Sequence, residues 1–152
     1  MRAVAKKIAL LALFALYIGV VLCLTVFRFQ THYATRQLNL RLGIALIEAY
    51  KNEGFWPFMR LFAGNIGWFV PFGFLLPMIW KRGCFWAVAL SGFAFSLAIE
   101  TAQYLFRKGW AELDDLILNT LGVVIGYLLH MLWRRLRGAR RDNSCSQTGH
   151  AG

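Results

Sequence analysis

The sequence predicts an all-α integral membrane protein: four transmembrane helices in a compact bundle, with both termini cytoplasmic. Three observations predict it. The 152-residue chain is 59% hydrophobic and 16% charged, with a mean hydropathy of +0.52, too apolar for a water-facing surface. It contains four apolar runs close to the roughly 20 residues that a helix needs to cross a bilayer. The basic residues near the ends of those runs favour alternate links. At this length we expect one domain, residues 1–134, followed by a basic, disordered cytoplasmic tail, 135–152.

The first span is residues 8–27, "IALLALFALYIGVVLCLTVF", which carries no charge. Arg2, Lys6 and Lys7 ahead of it resemble the start of a signal peptide, but the run is long and no small-residue cleavage site follows. Leu22 is too bulky to precede a lipoprotein-type cleavage at Cys23, so a retained anchor is expected. The segment 28–64 is the longest link. In it "QLNLRL" reads as a short extended piece and "IALIEAYKN" as a short helix on the membrane surface.

The second span, 65–80, is short, and "FWPFMRLFAG" can extend it into the interface. Pro71 and Pro77 each remove a backbone donor and should kink it. Lys81, Arg82 and Gly83 turn the chain tightly into the third span, 84–106. The fourth is 116–133.

With the N-terminus inside, the inner segments hold ten basic residues and the outer ones seven, a bias that is sharper near the span ends. Trp80, Trp86 and Trp133 then mark the inner interface, and Trp56, Trp68 and Trp110 the outer. In so apolar a chain, the net charge of +10 records cytoplasmic links and contact with anionic lipid. No nucleic-acid motif accompanies it. Cys23, Cys84 and Cys145 lack metal-ligand spacing, and no disulfide is expected.

The hairpin "LAIETAQYLFRKGWAELDDLILNTLG", residues 97–122, is polar out of proportion to its setting. At about 100° per residue, Gly92, Ser96, Glu100, Gln103 and Arg107 form one stripe of the third span. Asp115, Asn119, Gly122 and Gly126 form one stripe of the fourth. Neither stripe can face lipid cheaply, so the two should face each other, with the G-x-x-x-G of Gly122 and Gly126 allowing close approach.

Glu100 lies about 9 Å inside the outer end of its span at 1.5 Å per residue, level with Asn119. Asn65 and Arg60 can join from the second span. The expected pocket comprises Asn65, Glu100, Gln103, Arg107, Asp114, Asp115 and Asn119, with Arg60, Lys108 and Glu112 at its rim. Plainer roles compete. Asp114 could simply cap the fourth helix, and Asn119, Gln103 and Ser96 could be interhelical glue. Glu100 needs a partner at that depth: Arg107, Arg60 or a ligand cation.

Three stretches, "NIGWFVPFGFLLP", "SLAIETAQYLF" and "ELDDLILNTLGVVIGYLL", resemble the VanZ-like family of small bacterial membrane proteins. Its members share N-x-x-x-F-x-P-x-G-F, then E-x-x-Q, then a basic residue leading into D-x-D-D-x-x-x-N-T-x-G. The likeness covers roughly residues 60–130. Glu112 replaces the usual first Asp. Arg107 or Lys108 stands upstream of the usual Arg position, which falls near Gly109.

The resemblance implies a multi-pass protein of the bacterial cytoplasmic (inner) membrane, linked to low-level resistance to the glycopeptide teicoplanin, with no reaction established for the group. The leading expectation is a non-enzymatic envelope protein whose outer-leaflet pocket binds a lipid-linked cell-wall precursor, a lipoglycopeptide or another amphiphile. No cofactor is expected. The alternatives are an intramembrane enzyme acting on a lipid phosphate, with Glu100 as base and a divalent metal on Asp114 and Asp115, or a structural partner of a membrane complex. His32, His130 and His150 all lie away from the polar hairpin.

Overall fold

The computed structural model describes residues 1–26, 34–80 and 84–148. Phe27 at the end of the expected first span, Arg28, His32, the turn 81–83 and the last four residues lie outside the described residues.

Among the described residues, four helices are long and apolar enough to cross a membrane. The first, α1 (Arg2–Thr25), is charge-free beyond Lys7. A short strand β1 (Gln37–Asn39) follows at the place of the expected extended piece. Helix α2 (Ile44–Glu48) runs on into a π-helical turn, Ala49–Glu53, closed by Gly54 N–H donating to the Ala49 carbonyl at 3.0 Å.

Helix α3 (Phe55–Ile79) begins ten residues before Asn65, taking in the aromatic "FWPFMRLFAG" stretch. It continues through Pro71 and Pro77, because each proline costs one backbone bond while tertiary packing holds the rest of the helix. Helix α4 (Phe85–Phe106) starts one residue after Cys84, which is its extended N-cap. A second strand, β2 (Trp110–Glu112), leads directly into α5 (Leu113–Thr148), whose membrane-length part is Leu113–Arg137. The helix is continuous through the arginine-rich stretch that composition assigns to a tail, since no glycine pair or proline interrupts it there.

Helix α5 is central, packing on both α3 and α4. Its contact with α3 is backbone to backbone. A Cβ on Gly122 would strike the Ile66 carbonyl, one on Gly126 the Val70 carbonyl, and one on Gly73 of α3 the Val123 carbonyl. The G-x-x-x-G therefore serves the second and fourth spans, not the third and fourth as the stripe argument supposed. Gly92 of α4 meets α5 through the Val123 side chain. Val21, Phe69, Phe72, Val88, Ile99 and Val123 form the apolar core where the four long helices meet.

The pairing of β1 with β2 is not implied by the local pattern of either segment. The two are parallel, with Gln37 opposite Trp110, Leu38 opposite Ala111 and Asn39 opposite Glu112. This short ladder straps the first long link across the α4–α5 hairpin.

Candidate functional site

Helix α4 ends by turning left-handed at Arg107 (φ 54°), a conformation that glycine adopts most cheaply. Lys108 N–H donates to the Gln103 carbonyl at 3.0 Å and Arg107 N–H to that of Tyr104 at 3.4 Å, the pattern of a Schellman cap. That reversal aims β2 back toward α4. Glu112 N–H then donates to Glu100 Oε2 at 3.0 Å. Glu100 is 7% exposed, and its described partner is thus a backbone amide, not the Arg60 or Arg107 guanidinium proposed from spacing.

Beside this bond lies a cleft of about 310 Å³. Glu100 and Glu112 supply its acidic wall, while Leu38, Leu97, Tyr104 and Leu116 make most of the remainder apolar. The volume is at the low end for small-molecule sites, enough for an acyl segment or a small headgroup but not for a whole glycopeptide.

The remaining polar residues divide into separate contacts. Asn65 of α3 donates its side-chain amide to Asp115 of α5. Asn119 of α5 donates to Ser96 Oγ of α4 at 2.9 Å, so the two polar stripes do meet there. Asp114 is not the cap of α5. It sits in the first turn, where a carboxylate suits the positive end of the helix dipole, and its Oδ1 accepts Gly43 N–H at 2.6 Å. Gly43 is itself left-handed (φ 77°), which lets its N–H point at that acid.

Gln103 turns away from the cleft to donate to the Thr25 carbonyl of α1 at 3.2 Å, leaving its buried Oε1 unpartnered among the described residues. The Arg107 guanidinium reaches the Ala34 carbonyl at 3.4 Å. Arg60 is exposed on α3, and Lys108 contributes its backbone to the helix cap.

Glu112 and Asp115 lie within electrostatic reach of each other, of Glu100 and of Asp114. Glu112, outside the spans, is held above the usual carboxylate range chiefly by burial. The Asn39 amide opposite it pulls the other way, and Asp114 and Glu48 push it further up. Among the described residues, no three His, Cys, Asp or Glu side chains are arranged to hold a metal ion.

The hairpin stripe identified Glu100 but missed the cleft's apolar wall. Leu97, Thr101 and Tyr104 do share a helical face with it, and Leu38 and Leu40 alternate in "QLNLRL", so a signal existed. What spacing could not supply is that the second pattern folds against the first.

A four-span bundle whose long link is strapped over an acid-walled, leucine-lined cleft defines a class: small multi-pass membrane proteins with a site near one end of the helices. Within that class the chain belongs to the VanZ/LLP1 family, whose family model matches residues 14–134. It is similar to the protein VanZ of Enterococcus faecium, at 32% identity over 136 residues, covering 83% of this chain and 76% of that protein. No solved structure matches it.

Proposed function

We propose that the protein is a non-enzymatic envelope protein of the bacterial cytoplasmic membrane. Its cleft opens to the outer leaflet and takes part of a lipid-linked or amphiphilic molecule, limiting the access of teicoplanin-like lipoglycopeptides to their site of action. The observation that supports this reading is the cleft itself. Its leucines suit an alkyl chain, and Glu100 and Glu112 suit an amine or amide hydrogen-bonded beside it. Membership of the VanZ/LLP1 family supports the link to glycopeptides.

Expressed in a teicoplanin-sensitive Gram-positive host, the wild type should raise the teicoplanin inhibitory concentration by a factor of a few. Vancomycin, which lacks the lipid tail, should change less. Glu100→Ala and Asp115→Asn should leave abundance unchanged and abolish the rise, because the first removes one of the cleft's two acids and the second removes the neighbouring Asp115 charge while preserving size. Protection that survives both substitutions would remove the cleft from the mechanism.

The outward direction of the cleft rests on charge, with Lys6, Lys7 and Arg137 gathered at the opposite end of the helices from Glu100. In a background with Cys23, Cys84 and Cys145 replaced, Lys51→Cys should react with a membrane-impermeant maleimide added to intact cells. Reaction only after the cytoplasmic face is exposed would reverse the topology.

A further inference from the structure

Helix α1 is fastened to the bundle through its second half. Phe14 packs on Phe72 with ring centroids 5.4 Å apart, the Tyr17 hydroxyl donates to the Trp68 carbonyl at 2.6 Å, and Val21 is fully buried. Residues 4–9, by contrast, are all exposed. Between this free half, the end of α3 and the stretch of α5 near Arg137 lies a crevice of about 1260 Å³, much larger than the Glu100 cleft.

Its inner wall is alkyl, with Leu10 among the lining residues, and its mouth carries Lys6, Lys7, Trp80, Trp133 and Arg137. Among the described residues the lining holds no acid. The Arg137 guanidinium stands 4.2 Å from the Trp133 ring centroid, a cation–π contact that fixes a positive charge at the mouth.

An alkyl-walled gap between helices of membrane length forfeits dispersion contacts unless an apolar group fills it, and water gains no partners there. Acyl chains are the apolar groups that a bilayer offers to fill it. Three cations and two indoles at the mouth then select the headgroup, as basic pockets between membrane helices do. We propose that this crevice is a binding site for one anionic phospholipid, with acyl chains between α1 and the α3–α5 pair and the phosphate on Lys6, Lys7 and Arg137. The site lies at the end of the bundle opposite the Glu100 cleft and does not depend on what that cleft binds.

The test reconstitutes the full-length protein in nanodiscs of equal parts phosphatidylcholine and phosphatidylglycerol, then counts retained lipids by native mass spectrometry. The wild type should retain phosphatidylglycerol in preference. Lys6→Gln/Lys7→Gln should lower that preference by roughly fivefold per charge removed. Arg134→Gln/Arg135→Gln removes as many charges nearby, from residues that do not line the crevice, and should leave it nearly intact.

Leu10→Trp, which keeps every charge but puts an indole into the alkyl wall where an acyl chain would lie, should also lower lipid retention. This variant separates loss of the site from any poor folding of the lysine variant. Inorganic phosphate added in place of lipid should neither compete nor protect. The proposal is overturned by equal retention of both lipids, by equal losses in the two double variants, by undiminished retention in Leu10→Trp, or by competition from free phosphate.

Discussion

Gly73→Ala and Gly126→Ala should each destabilise the bundle by about 3 kcal/mol or more, although alanine is the better helix former. In membranes, helix association rests largely on packing and interhelical hydrogen bonds, and small residues permit the closest contacts. A methyl group on Gly73 would overlap the Val123 carbonyl, and one on Gly126 the Val70 carbonyl. Backbone cannot step aside as a flexible side chain can. Moving α3 off α5 would also disturb the buried set around Phe69, Phe72 and Val123. Overpacking alone costs about 1–3 kcal/mol, and these sites belong at or beyond the upper end.

Gly19→Ala and Gly67→Ala are the controls. A Cβ at either meets nothing within 4 Å, so up to about 1 kcal/mol of helix propensity should appear as a gain. Size-exclusion profiles and thermal melts in detergent compare the two pairs directly. Indistinguishable behaviour would mean that α3 and α5 do not approach this closely.

Removal of one side of the Asn65–Asp115 contact should be worse than removal of both. Asn65→Leu leaves a partly buried carboxylate without its side-chain donor, and hydrogen bonds to charged groups are worth about 1.5–3 kcal/mol. Asn65→Leu/Asp115→Leu deletes the unmet polar group together with the bond and should recover much of that loss. Stability of the four members of this cycle is the measurement. Simple additivity would show that the two side chains do not depend on each other.

By contrast, the Asn119–Ser96 bond joins two neutral groups. Interhelical bonds of that kind average about 0.6 kcal/mol in double-mutant cycles, so the coupling between Ser96→Ala and Asn119→Leu should be smaller than that of the Asn65–Asp115 pair.

The four long helices follow from the apolar runs alone. Backbone hydrogen bonding within a span is local, and a run of apolar residues in lipid has no alternative to a helix. Residue chemistry alone likewise keeps Ser96, Glu100, Asp115 and Asn119 from facing lipid, because the cost of exposing them there is a property of each residue. The extended "QLNLRL" and the helix after it were legible for the same local reasons.

Which polar group meets which depends on how the helices pack. Helical spacing places Asp115 and Asn119 on one stripe, but α5 lies between two neighbours, so Asp115 meets Asn65 of α3 while Asn119 meets Ser96 of α4. The partner of Gly122 and Gly126 was equally beyond periodicity. A pair of small residues permits close approach without saying to what, and the carbonyls of Ile66 and Val70 provide the answer. The pairing of Leu38 with Ala111, which brings the apolar wall of the cleft onto Glu100, joins segments separated by two membrane spans. No local pattern in either segment encodes the other, since a three-residue strand is stable only where the folded bundle brings its partner alongside.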